Sequence, residues 1–180
     1  MKAVSDKMSL WLVPSGGIYD CLSQVIAALS AKLQAPEFPP HVTLLPGCVG
    51  RPSELICRTA RVASSLRPFV IRLGEIGFRD EHFRCLFLQA ALTEALRNGH
   101  RVAWRAFGRG PEPAFMPHLS LLYGDFPAGL KRGIIAEIGP GLAVQFPVRS
   151  LHLYRTVGDP SGWRRLASFE LGSGRRLPGV

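Results

Sequence analysis

Pro40-His41-Val42-Thr43-Leu44-Leu45-Pro46-Gly47 and Pro117-His118-Leu119-Ser120-Leu121-Leu122-Tyr123-Gly124 are two copies of one frame, Pro-His-apolar-hydroxyl-Leu-Leu-x-Gly. Each copy follows a proline-rich loop, and each reads as a short β run closed by glycine. Side chains two apart on a strand share a face, about 6.5–7 Å along it. His41 therefore sides with Thr43, and Val42 with Leu44. His118 and Ser120 repeat the arrangement against Leu119 and Leu121. Each strand can bury its leucine side and turn its imidazole and hydroxyl outward. A repeat of this kind is a fold-level signal. It predicts two similar lobes, each offering one strand to a shared cleft.

Working outward, Ser9 to Pro14 reads as a first strand, and Ile18 to Leu33 carries apolar residues at helical spacing. Ser53 is placed to cap a helix reaching Leu66. Phe69 to Phe78 and Cys85 to Gln89 read as strands. Leu92 to Phe107 reads as a helix weakened by Gly99, and Leu130 to Ile138 as a shorter one. Val144 to Val148, Ser150 to Arg155 and Trp163 to Leu171 complete the strands. From Gly172 onward the polar Gly/Arg/Pro composition predicts a frayed tail. Several strands adjoin through short turns without a strict β-α-β rhythm. The class is α+β with mixed, largely antiparallel sheets. No interdomain linker is evident, and residues 1–180 read as a single bilobal domain.

The composition, 47% hydrophobic and 19% charged, is that of a globular chain and excludes disordered, collagenous and disulfide-scaffold classes. No apolar run approaches the roughly 18 residues of a membrane span. Met1 to Lys7 lacks the apolar core of a secretory signal, which predicts a cytoplasmic location and no membrane partner. Cys21, Cys48, Cys57 and Cys85 show neither C-x-x-C nor zinc-finger spacing. Cys21 and Cys85 lie in apolar stretches and read as small core residues. The net charge of +9 fits a phosphate-rich partner. Its arginines are scattered, however, and a solvated basic surface accounts for the charge equally well.

The paired frames carry chemistry. Opening a cyclic phosphodiester needs an activated water and a protonated leaving oxygen. Two imidazoles can supply both near neutral pH if one starts neutral and the other charged. Hydroxyl donors from Thr43 and Ser120 can hold the non-bridging oxygens as charge builds on them. The scheme uses no metal and no cofactor, and the sequence offers no carboxylate cluster to hold a metal. A single H-x-T is commonplace, but two in matching frames are hard to attribute to chance. His82, His100 and His152 have no such frame and read as surface or structural residues.

On these motifs the chain resembles the two-histidine (2H) phosphoesterase superfamily, whose signature is a pair of H-x-[T/S]-x motifs. The similarity extends through Ser9-Leu10-Trp11-Leu12-Val13-Pro14 and Phe83-Arg84-Cys85-Leu86-Phe87-Leu88 to the cyclic phosphodiesterase branch of plants and yeast. The resemblance implies a bilobal fold of two sheets related by pseudo-twofold symmetry, with flanking helices and a central cleft. It implies hydrolysis of ADP-ribose 1″,2″-cyclic phosphate and of nucleoside 2′,3′-cyclic phosphates. By analogy His41, Thr43, His118 and Ser120 form the catalytic set. The resemblance favours His118 as the base, although the sequence itself leaves the acid and base roles open. Tyr123 is expected in the cleft. Trp11 and Phe83 either wall it or pack in the core. The expected partner is a small cyclic-phosphate substrate bound by a monomer.

Two other functions stay in view. One is an RNA-end 2′,3′-cyclic phosphodiesterase of the RNA-ligase-like branch, favoured by the charge. Relatives of that branch carry arginine near the second motif, and Leu119 to Tyr123 has none. The other is a non-catalytic RNA-binding module, which leaves the repeated frames unexplained.

Overall fold

The computed structural model describes residues 7–178. Met1 to Asp6, on which the reading of the chain's start largely rests, lie outside them. Among the described residues, eight strands and four helices follow in the order β1 (Met8–Leu12), α1 (Gly17–Leu33), β2 (Val42–Cys48), α2 (Pro52–Ser65), β3 (Phe69–Phe78), β4 (Leu86–Ala90), α3 (Glu94–Ala106), β5 (His118–Leu122), α4 (Ala128–Ile138), β6 (Val144–Val148), β7 (Ser150–Arg155) and β8 (Arg164–Glu170). No helix among them is long and apolar enough to cross a membrane.

The strands form one antiparallel sheet in the order β6-β3-β4-β5-β2-β1-β7-β8. This corrects the expectation of two mixed sheets related by pseudo-twofold symmetry. The join lies between the two motif strands, where Val42 pairs with Leu119. A repeated strand motif predicts which face each strand buries, but not whether the two strands share an edge. Here they do, and the edges that two separate sheets would have left open are paired.

The join is short. Among the described residues, Val42 and Leu119 are the one pair in register between β2 and β5. The Leu44 carbonyl accepts instead from the His100 Nδ1 of α3, at 2.8 Å. His100 is buried and stacks flat on Phe115, with ring centroids 3.9 Å apart. Its structural reading therefore stands, in the interior rather than at the surface. Gly99 beside it faces β2. A side chain there would meet Leu44 and Leu66 at ordinary contact distance, so α3 lies close on the leucine side of β2.

One hydrophobic cluster runs from β1 (Leu10, Leu12) through the motif leucines (Leu44, Leu119, Leu121) to α1 (Leu22, Ile26) and α2 (Leu55, Val62). Two helix starts differ from expectation by local chemistry. In α2 proline occupies the first turn after Arg51, so Ser53 lies inside the helix and not at its cap. In α3 the Thr93 hydroxyl accepts from the Leu96 amide at 3.3 Å, which sets the start after Leu92. Cys85 is buried as expected, whereas Cys21 sits on the exposed side of α1. All four cysteines are free.

From Gly172 to Pro178 the segment is docked, not frayed. The Gly172 amide donates to Ala63 O at 3.0 Å, and the Leu177 amide to Ser168 O at 2.9 Å. Gly174 makes the crossing over α2 possible. Its φ is +66°, and a Cβ there would lie 2.7 Å from the Ala60 carbonyl oxygen. Gly174→Ala should therefore destabilise the fold by about 1–3 kcal/mol, lowering Tm by about 2–4 °C per kcal/mol. A thermal melt unchanged by the substitution would show that the tail is not held against α2.

Candidate active site

The antiparallel register carries the two frames to one place. With Val42 opposite Leu119, the next positions outward set His41 across from Ser120 and Thr43 across from His118. On this small grid each imidazole faces the other strand's hydroxyl. The two histidines lie on its diagonal, about 7–8 Å apart at the backbone. All four residues line one cleft of about 300 Å³.

Both rings are tethered in the same way. Nδ1 of His41 bonds the Pro39 carbonyl at 2.7 Å, and Nδ1 of His118 bonds the Met116 carbonyl at 3.0 Å. A carbonyl can only accept, so in each ring the proton sits on Nδ1 and Nε2 keeps its lone pair. In both frames the tether reaches the residue two before the histidine.

Burial shifts both rings toward the neutral form. His41 is pulled down to about 3, chiefly by loss of solvent, with the charge of a protonated His118 acting the same way. The Pro39 hydrogen bond opposes this in part. His118, less enclosed, is also lowered, first by desolvation and then by the Arg84 and Arg79 guanidiniums. Each ring thus resists protonation, and protonating one disfavours protonating the other.

The hydroxyls are not equivalent. Ser120 is buried and donates to the Phe83 carbonyl at 3.1 Å, so its proton is already engaged. Thr43 makes no side-chain hydrogen bond among the described residues and is open to a ligand.

Aromatic rings build the walls. Trp11 is fully buried and lies flat against His41, with centroids 3.5 Å apart, while its other neighbour Tyr154 stacks at 3.9 Å. Trp11 therefore belongs to the core and to the cleft at once. Tyr123 also lines the cleft, stacked on Phe38 at 3.7 Å, and burial pushes its phenol well above the usual range. Phe83 stands 54% exposed at the rim, edge-on to Tyr123. Such exposure of a large apolar ring beside the cleft suits stacking on a planar ligand.

Sequence reasoning missed Trp163 and Arg84. Trp163 precedes β8, far along the chain, and closes the cleft edge-on to Trp11 at 5.7 Å. No local pattern marked it. Arg84 was in view beside Phe83, but arginine was sought on the second motif strand. It enters instead from the short turn between β3 and β4 and lines the cleft. Ser9 and Thr156, hydrogen-bonded to each other at 3.2 Å, complete the polar floor. His82 stays at the exposed rim, 3.4 Å from Asp125. His152 lies outside the cleft, buried between Ser150 and Ser168. Among the described residues no three His, Cys, Asp or Glu side chains cluster in a way that could hold a metal ion.

Known proteins share this arrangement of elements. A model of the 2′-5′ RNA ligase superfamily matches residues 23–160, a span that includes both frames. The cyclic phosphodiesterase of Arabidopsis thaliana is 23% identical over 120 residues, which cover 67% of this chain but just under two thirds, 66%, of that protein. The apo structure of E. coli LigT matches with a TM-score of 0.62 at 18% identity, over 93% of this chain and 98% of that one. The protein TT0787 of Thermus thermophilus matches with a TM-score of 0.65 at 19% identity, over the same shares. At these identities the two structures establish the fold. LigT has also been solved in complex with phosphate and with 3′-AMP.

The lowered pKa values give a sign for ligand binding. An anion placed between the rings favours the imidazolium form, so binding must take up a proton as the ring's pKa rises. Sulfate keeps its charge from about pH 5 to 8, where histidine titrates, so any pH dependence belongs to the protein. Its affinity should weaken as pH rises, by up to about tenfold per pH unit for one coupled proton. Calorimetry in buffers of different ionisation enthalpy should register the uptake. Binding that is flat with pH, or that moves no proton, would contradict the electrostatics described.

Proposed function

The chain belongs to the 2′-5′ RNA ligase superfamily, and from that premise we propose that it is a phosphodiesterase opening the 2′,3′-cyclic phosphate at the end of an RNA strand. The observation that carries this reading is the pair of carbonyl-tethered imidazoles set diagonally across one cleft.

The cyclic phosphate sits between the rings with its phosphorus near the centre of the grid. The neutral Nε2 of one ring accepts a proton from water as the water oxygen bonds to phosphorus. The ring opposite, charged through the anion's presence, gives its Nε2 proton to the departing ribose oxygen as that P–O bond breaks. The product is a phosphate monoester beside a free hydroxyl, and the ring that accepted now holds the proton. Mutual repulsion keeps the pair at one proton, so one acid and one base are available together. Thr43 Oγ and the Arg84 guanidinium stabilise the non-bridging oxygens. Ser120 positions the Phe83 turn while its hydroxyl holds that carbonyl. Phe83 and Trp163 offer faces to the terminal base.

Arg84 removes the objection that no arginine serves the second motif. A smaller substrate, a free nucleoside 2′,3′-cyclic phosphate or ADP-ribose 1″,2″-cyclic phosphate, is the second reading, supported by the similarity to the Arabidopsis enzyme. A purely RNA-binding module gives the tethered rings no task.

His41→Ala and His118→Ala should each lower turnover of a 2′,3′-cyclic-phosphate substrate by about 100- to 10,000-fold. Thr43→Val should lower it by about a hundredfold, with little change in melting temperature. Because the two rings account for both proton transfers, wild-type activity should survive EDTA. Full activity in either histidine variant would overturn the scheme, and loss of activity in EDTA would require a metal.

A further inference from the structure

The catalytic cleft is not the largest depression on the molecule. A groove of about 850 Å³ adjoins it, floored by the outer strands β7 and β8 and bordered by the start of α1. Four arginines line it, Arg149, Arg164, Arg165 and Arg176, and no aspartate or glutamate does. Arg149, Arg164 and Arg176 are exposed, and among the described residues none of the four has a carboxylate partner. Unpaired cations spread along one groove attract a polyanion.

Two residues join groove to cleft. Trp163 lines both. Its indole is held by the Gly158 carbonyl at 3.3 Å, on a turn that Asp159 caps. Pro39 borders the groove, and its carbonyl is the one that holds the His41 ring. A strand leaving the cleft over the Trp163 edge therefore enters the row of arginines directly. Tyr19, half-buried, lines the groove as well and gives a base a surface to stack on. The floor is polar and fixed: the His152 ring is bonded on both sides, to Ser150 at 2.9 Å and Ser168 at 2.8 Å.

We propose that this groove binds the phosphate backbone upstream of the scissile end, so that the preferred substrate is an RNA strand several nucleotides long and not a free nucleotide. This rests on the phosphodiesterase reading for the cleft, but the groove can be tested without turnover. A cyclic mononucleotide occupies the cleft alone and gains nothing from the groove. Each added upstream phosphate gains an arginine, and the gain is sensitive to salt.

The test pairs binding with kinetics on the full chain. A fluorescent hexaribonucleotide with a 3′-phosphate is titrated against wild type and against Arg149→Glu/Arg164→Glu, two exposed positions outside the cleft. The double variant should bind at least about tenfold more weakly at moderate salt, and its log-affinity against log-salt slope should fall by about 1.4, or about 0.7 for each lost contact to a single strand. In kinetics, the hexamer carrying a 2′,3′-cyclic end should show a KM at least about tenfold below that of the cyclic mononucleotide, and only the hexamer's KM should rise in the variant. Unchanged mononucleotide turnover and melting temperature show that the variant is folded. Equal wild-type KM values for the two substrates, hexamer binding indifferent to the double substitution, or displacement of the RNA by polyglutamate as readily as by unlabelled RNA would each overturn the groove proposal. Groove-dependent binding without turnover of either substrate would support the groove and reject the phosphodiesterase reading.

Discussion

A single antiparallel pairing, Val42 against Leu119, organises the functional half of this protein. It sets two remote histidines on one face of one sheet and fixes the spacing between them. It also sets each imidazole across from the other strand's hydroxyl. A shift of one residue in either strand would turn the imidazoles toward the leucine core. The leucines on the reverse face guard against that shift, because Leu44, Leu119 and Leu121 are all fully buried. The hydrophobic core and the site are thus two faces of one register.

The second constraint is desolvation. His41 lies under Trp11 and His118 lies in a partly enclosed wall, so neither ring carries charge easily in the absence of an anion. What burial takes from the charged form, a bound phosphate restores. The carbonyl tethers ensure that the same nitrogen, Nε2, is the one that gains or loses the proton in both rings. In the proposed mechanism, acid–base work then depends on where the anion sits, and the protein's part is to keep the rings fixed. The aromatic stack Tyr154–Trp11–His41 does this from one side, and Phe38 against Tyr123 braces the other.

Much of this was readable from the chain. The duplicated frame marked both histidines and both hydroxyls, and alternation within the frame said which face they occupy. Strand and helix positions came within a few residues of those observed, with the departures at α2 and α3 traceable to Pro52 and Thr93. Trp163 and Arg84 were not recognised as cleft residues, because each reaches it from a turn whose course is set by tertiary packing. The interior place of His100 was not readable, because its burial depends on Phe115 and on a carbonyl of β2, neither of which is near it in sequence. The tail after Gly172 read as frayed because its composition is that of a loop. Its hydrogen bonds to α2 and β8 come from chain segments that no local pattern connects to it.

By itself, then, the sequence determined which imidazoles and hydroxyls share a cleft-facing side, since a strand's period of two and a repeated Pro-His-x-hydroxyl frame are local facts. It also determined the leucine faces that bury each motif strand. Whether those strands lie in two sheets or share one, and which arginine and tryptophan line the cleft, only the tertiary structure decided. The physical reason is that backbone edges pair without regard to side-chain pattern. A strand announces its faces in its sequence, while its neighbours are chosen by the whole fold.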